Sequence, residues 1–307
     1  MAQPSADSWP ALPFDAWKDT CATFHLWTQV VGKIRLAQAP PINHWWQVVL
    51  YSAPYGLTTS AIPYGDRASF QIDFDLLHDV LRIETSQATG REIPLEPMSV
   101  AAFYRVVKAA MKNLGLDVPI LPRPVEIPDA IPFEKDETHA AYDGEALRRF
   151  SRVLEQSTRV MTEFRARFLG KSSPPHLFWG ALDLAVTRFS GRTAPDHAPV
   201  PFTPLHVVRE AYSHECSSAG FWPGSEAAPQ AFFYAYAYPE PGGFRQHPVR
   251  PKEAFYSAEM AEYLLPYEVV RTSRDPDATL MEFLQSTYEA AAIHGKWDRA
   301  ALERPGS

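Results

Sequence analysis

The string EAYSHECSS, residues 210–218, sets a histidine between a tyrosine and a cysteine at every second position. On a strand that spacing puts Tyr212, His214 and Cys216 on one face and Ser213, Glu215 and Ser217 on the other. His214 beside Tyr212 offers an acid/base pair, because imidazole titrates near neutral pH and a phenol can relay a proton. The Cys216 thiol would be a nucleophile only if something lowered its pKa, and a buried inert thiol is the commoner state. Glu215, on the opposite face, is expected to pair with an arginine such as Arg209 or Arg188 rather than join His214 around a metal.

Two more histidines share a setting. APPINHWW (39–46) and SPPHLFW (173–179) each carry a histidine behind a Pro-Pro pair and ahead of large aromatics. Read as strand starts, they place His44 on the face of Trp46 and His176 on the face of Phe178, both aimed at a core or a pocket. The ordinary alternative is that each ring satisfies backbone groups left open by the prolines. His139, in FEKDETHAAYD (133–143), sits where a loop could close over a site, while Asp143 reads as a helix cap. Together His44, His139, His176 and His214 would make a thiolate-poor ligand set suited to zinc or iron. FFYAYAY (232–238) alternates so that Phe232, Tyr234, Tyr236 and Tyr238 share a face, an aromatic ladder that serves a core or a pocket equally. Trp46, Trp179, Tyr234 and Tyr236 are therefore the candidate ligand-binding residues. His25 joins them from a polar stripe, His25, Gln29 and Lys33, on an otherwise apolar helix.

The elements that must position these residues repeat. A helical pattern from Phe14 to about Ala37 precedes four β-rich runs, HWWQVVLYSA (44–53), LTTSAIPY (57–64), SFQIDFDLL (69–77) and VLRIETS (80–86). A second helix covers about 99–114, with Ser99 as its cap and Gly115 just past its end. Residues 117–142 carry five prolines and form a connector. The second half again reads as a helix (Gly144 to about Leu169), four strands (176–191, 207–221, 231–241, 263–270) and a helix (277–293). Gly32-Lys33 matches Gly170-Lys171, His44 matches His176, Phe103 matches Phe283, and Ser99 matches Thr279. The expected fold is α+β: two similar α-ββββ-α halves with antiparallel sheets, 1–116 and 143–307, related by an internal duplication and packed as one body. If the halves meet about a pseudo-twofold, His44 and His176 converge at their interface, with His214 nearby.

Composition narrows the chemistry. A chain of 307 residues, 46% hydrophobic and 13% aromatic, can bury a sizeable core. A net charge of −7 without basic clusters excludes a nucleic-acid surface, and neither a signal segment nor a long apolar run marks a membrane protein. Two cysteines exclude a thiolate cluster and suit the cytoplasm. No phosphate loop, nucleophile elbow or His-Glu-x-x-His helix occurs, so no nucleotide cofactor is expected. A small organic ligand is the expected partner, with room for a homo-oligomer.

The strings FHLWTQVVGKIRLAQAPPINHWWQVVLY, GLTTSAIPYG, FQIDFD, FRARFLGKSSPPHLFWGALDLAVTRFSGR, REAYSHECSSAGFWPG and AYAYPEPGGF together resemble the bacterial and fungal family named domain of unknown function 5996, over about residues 9–303. The resemblance implies no substrate and no catalytic residue. From the residues themselves the expectation is an enzyme using histidine acid/base or histidine-held metal chemistry, with His44, His176, Tyr212 and His214 as catalytic candidates. The alternative is a non-catalytic ligand-binding or scaffold protein with an aromatic pocket.

Overall fold

The computed structural model describes residues 8–306, so the outermost residues of the two halves, 1–7 and 307, lie outside it. Helix α1 (Lys18–Gln38) is buried on nearly every side from Thr20 to Arg35, which explains its apolar content all round. In the first half a 3-10 turn (Asn43–Val48) leads into β1 (Tyr51–Ala53), β2 (Gly56–Thr58), β3 (Ile62–Tyr64), β4 (Ala68–Asp75), β5 (Val80–Thr85) and β6 (Gly90–Pro94), followed by α2 (Val100–Asn113). The second half runs α3 (Gly144–Ala166), β7 (His176–Phe178), β8 (Asp183–Thr193), α4 (Leu205–Ala211), β9 (His214–Trp222) and β10 (Phe232–Tyr238). It continues through β11 (Phe255–Ser257), β12 (Glu262–Pro266), α5 (Tyr267–Thr272), α6 (Pro276–His294) and α7 (Arg299–Leu302).

The fold is α+β, with two six-stranded antiparallel sheets rather than two of four. The first orders β1-β2-β4-β5-β6, with β3 also on β4, and the second orders β11-β12-β10-β9-β8-β7. The halves share neither a strand order nor a full element order, since α4 interrupts the strands of the second and α5 and α7 flank its last long helix, so the expected internal duplication is not confirmed. They are joined edge to edge, since Leu50 and Leu177 exchange backbone hydrogen bonds of 2.9 and 2.7 Å. One apolar core runs through both: Trp27 stacks on Phe103 at 4.6 Å, Trp17 lies against Phe150, and Trp9 reaches Phe233 and Tyr267 of the second sheet. Only one face of the second sheet, with Phe221, Phe233, Ala235 and Leu265, joins that core. The other face is left to form a cavity.

The helix ends follow their sequence signals. Ser99 accepts from the Ala102 amide and Asp143 from the Glu145 and Ala146 amides, each cap contributing about 1 kcal/mol. Gly115 takes φ +76° past α2, a conformation that favours glycine. Thr279 is not the cap matching Ser99, however: Asp275 caps α6 ahead of Pro276.

Several expected strands break. Residues 44–48 are not strand, because His44 and Trp45 adopt left-handed φ of 61° and 63° and turn their rings into the protein. Run 57–64 splits at Ser60, φ 51°, where the Thr59 hydroxyl accepts from the Ile72 amide. Residues 205–211 form α4 ahead of β9, with Pro204 at the helix start, and 267–272 form α5 behind Pro266. Gly180 and Leu182 fall past the three-residue strand begun by His176.

Candidate functional site

The second sheet supplies the floor of a cavity of about 390 Å³. Register puts Ala185, Gly220 and Tyr234 abreast, then Thr187, Ser218 and Tyr236, then Phe189, Cys216 and Tyr238. Alternation turns these rows, together with Asp183, to one face. Above them stand Lys33 and Leu36 from α1, the His44–Trp46 turn, Val125 and Glu126 of the connector, and Val207, Val208 and Ala211 of α4. The cavity thus lies where the first half and the connector meet the second sheet, and its size suits a small organic molecule.

Polar groups on this floor are arranged in relays. The Tyr234 hydroxyl donates to the Asp183 carboxylate. Tyr212 and Tyr236 share a hydrogen bond of 3.0 Å, and Thr187 and Ser218 one of 2.9 Å. Gly220 makes this possible, since a Cβ there would stand 2.4 Å from the Tyr234 hydroxyl. Burial pushes the Asp183 carboxyl up to about 6, against the lowering effect of the Tyr234 bond. Glu126 is raised to about 7, by burial of its carboxyl and by the charge of Asp183. Asp183 titrates first beside a neutral Glu126, which then ionises next to a charge. Glu126 lies on the more open side of the cavity and keeps solvent-exposed surface, while Asp183 sits deeper in it. Glu262 of β12 is likewise raised to about 7, by burial and by Asp183.

The connector holds Glu126 deliberately. Gln29 of α1, fully buried, accepts from the Val125 amide at 2.8 Å and donates to the Val125 carbonyl at 3.0 Å. His25, one turn earlier, reaches the Trp179 and Gly180 carbonyls at 3.0 and 2.9 Å, so it positions the wall rather than lining it. Glu126 itself has φ 59°. It shares that costly backbone with His44, Trp45 and Phe202, all four lining the cavity. Left-handed backbone in a non-glycine costs about 1–2 kcal/mol and persists where its surroundings impose it, often at functional sites.

The histidines are placed differently from one another. His44 is committed at both nitrogens: Nδ1 donates to the Ala211 carbonyl at 3.0 Å and Nε2 accepts from Lys171 Nζ at 2.7 Å. It is a neutral ring stacked on Phe189 at 4.4 Å, its pKa lowered by burial and then by Lys171 and His214. His214 lies 5.6 Å away by ring centroids, with Nδ1 on the Ser213 hydroxyl, and does not line the cavity. The common strand face expected for Tyr212 and His214 is therefore corrected, since Tyr212 ends α4. His176 is fully buried among Trp46, Tyr51 and Phe178, and neither ring nitrogen has a partner among the described residues. Burial pushes its pKa down to about 3. His139 sits on Asp136 at 2.8 Å, outside the cavity lining. The expected metal set of His44, His139, His176 and His214 does not assemble. Among the described residues no three His, Cys, Asp or Glu side chains gather as a metal would require.

Other expectations resolve plainly. Trp46, Trp179, Tyr234 and Tyr236 all line the cavity, as do Tyr212 and His44. Cys216 faces it too, with burial pushing its thiol up to about 12, the inert state. Glu215 pairs with Arg192, not with Arg209 or Arg188, at 2.6 Å. The sequence reading missed Glu126 and Asp183. For Asp183 a signal existed: a lone acid among Ala185, Thr187 and Phe189 at strand alternation. For Glu126 nothing in a proline-rich connector marked it out.

The fold and cavity define an α+β protein with a ligand-sized, acid-lined pocket at the junction of its two halves. The chain belongs to the family described as "Family of unknown function (DUF5996)", whose model matches residues 9–304. No curated protein and no solved structure matches the chain. Among the described residues no helix is long and apolar enough to cross a membrane.

Proposed function

We propose that the protein is an enzyme that binds a small organic molecule in the junction cavity and moves protons on it with carboxyl groups. The observation that carries this reading is the convergence of Asp183, its partner Tyr234, and Glu126 on the wall of a mainly apolar cavity. Two carboxyls raised to about 6 and about 7 are, near neutral pH, one mostly ionised and one partly protonated. That supplies a base and an acid together. Asp183, oriented by the Tyr234 hydroxyl, takes a proton, and Glu126 gives one. The histidines support from outside this pair: His44 braces α4 against the turn through Ala211, and His25 holds the Gly180 segment under Glu126. Two free, buried cysteines suit a reducing cytoplasm.

A non-catalytic ligand-binding role is favoured by one observation, the predominance of Trp45, Trp46, Phe178, Trp179, Phe189 and Phe202 in the lining. The two readings separate in one experiment. Fragments that bind the full chain by ligand-observed NMR are incubated with it and followed by mass spectrometry, with Asp183→Asn alongside. The enzymatic reading expects turnover that falls about 100-fold or more in Asp183→Asn while binding persists. Binding without turnover in either protein leaves the carrier role.

A further inference from the structure

Lys33 carries an inference that rests on the cavity reading and names the class of molecule it takes. Three Lys and Arg side chains are buried among the described residues: Lys33, Arg35 and Arg188. Two of them have partners. Arg35 donates to the Gln47 carbonyl at 2.7 Å and to the Ser60 hydroxyl at 3.1 Å. Arg188 donates to the Phe164 carbonyl and lies between the Phe164 and Tyr288 rings. Lys171, less deeply placed, donates to His44. Lys33 is only 6% exposed, and among the described residues its ammonium makes no hydrogen bond and no ion pair. It lines the cavity, with Nζ 5.8 Å from the centroid of the Trp179 ring.

A buried cation without a partner is costly, and protein interiors ordinarily pair or neutralise one. The surroundings of Lys33 are built rather than loose. Gly32 lets the Trp179 indole lie directly on α1, where a Cβ would stand 2.3 Å from the ring, and the indole N–H is fixed on the Val48 carbonyl at 2.7 Å. Lys33 is thus held beside a locked aromatic wall of the cavity, and burial, which lowers its pKa, disfavours its charged form until an anion pairs with it. A single ammonium, with no arginine among the residues that line the cavity, suits a carboxylate better than a phosphate, which draws several donors.

We propose that Lys33 anchors the carboxylate of a small aromatic or branched apolar acid whose body lies against Trp179. The ligand's anion completes the pairing that the protein leaves open, and its apolar body fills the aromatic part of the lining. A second polar group, where the acid carries one, meets Asp183 and Glu126.

The test is calorimetric titration of the full chain with benzoate, 3-phenylpropanoate and indole-3-acetate, each beside its neutral primary amide, in wild type and Lys33→Met. A charge-assisted bond in such a site is worth about tenfold or more in affinity. At least one acid is expected to bind wild type about tenfold more tightly than its amide, with the preference lost in Lys33→Met and the amide's own affinity kept. Equal affinity for acid and amide in wild type would overturn the anchor and leave the cavity reading standing. So would an acid preference that survives in Lys33→Met. Failure of every acid and every amide to bind would overturn both. If Lys33→Met does not fold, Lys33→Gln carries the same comparison, with the same outcomes deciding it.

Discussion

Glu126 owes its place to Gly180: a Cβ at position 180 would stand 2.3 Å from Glu126 Oε1. A glycine in the second half therefore makes room for a carboxyl of the connector, and the acid pair of the cavity depends on that space. Gly180→Ala strikes the free end of a flexible side chain, so the carboxyl swings away while the fold gives little. Stability is expected to stay within about 1 kcal/mol by urea denaturation, while the upward shift of Glu126 shrinks.

Gly32→Ala makes the same overlap with a different neighbour. The Trp179 ring is buried, and its N–H is tied to Val48, so it has nowhere to go. This substitution is expected to cost about 2–3 kcal/mol in the same denaturation measurement. Equal costs for the two alanine variants would contradict the difference in how the neighbours are held.

Asp183→Asn tests the sign of the acid's contribution to stability. The folded pKa of Asp183, about 6, lies above the ordinary 3.8, so the protein is most favoured below about 3.8 and loses that contribution as pH rises through 6. Asparagine keeps an oxygen to accept from Tyr234 and never ionises. The variant is expected to melt above wild type at pH 8 and to lose that advantage at pH 4, by calorimetry. A lower Tm at both pH values would show that the ionised carboxylate is a stabilising partner of Tyr234.

His176 has the opposite sign. Its folded pKa, about 3, lies below the ordinary 6.5, so its neutral form contributes stability above 6.5 that is lost as pH falls through 3. His176→Phe removes two buried, unpartnered nitrogens from an aromatic surround. It is expected to fold with near wild-type stability at pH 7 and to resist acid better between pH 6 and 4. Loss of several kcal/mol at pH 7 would mean that the ring nitrogens have a partner such as ordered water.

Much of the fold was legible in the sequence, because helices announce themselves at both ends. Ser99, Asp143 and Gly115 stand where caps and stops were expected, and the ladder of β10 alternates as written. What misled was aromatic richness. HWWQ reads as strand by composition, yet the left-handed backbone at His44 and Trp45 is imposed by tertiary contacts: the Arg35 bond to the Gln47 carbonyl and the Lys171 bond to His44. REAY reads as strand until Pro204 starts a helix there. The histidines drew attention because imidazole is conspicuous in a sequence. The acids that share the cavity wall come from 57 positions apart by residue number, Glu126 and Asp183, and no local pattern links them.

Lys171→Met separates the histidine from the carboxyl chemistry. It removes a charge that lowers the His44 pKa, though burial, the larger cause, stays. The His44 midpoint is expected to move upward in a proton NMR titration, while binding and turnover in the cavity change little. A collapse of turnover that accompanies the upward move of the His44 midpoint would restore the histidine to the chemistry.

The most direct test of a proton-transfer site in the junction cavity needs no substrate. Carboxyl-carbon NMR titration of 13C-labelled protein, assigned with Asp183→Asn and Glu126→Gln, is expected to give midpoints of about 6 for Asp183 and about 7 for Glu126. The Glu126 midpoint should fall when Asp183 is replaced. Midpoints for both below 5, unmoved by either substitution, would contradict the paired acid and base.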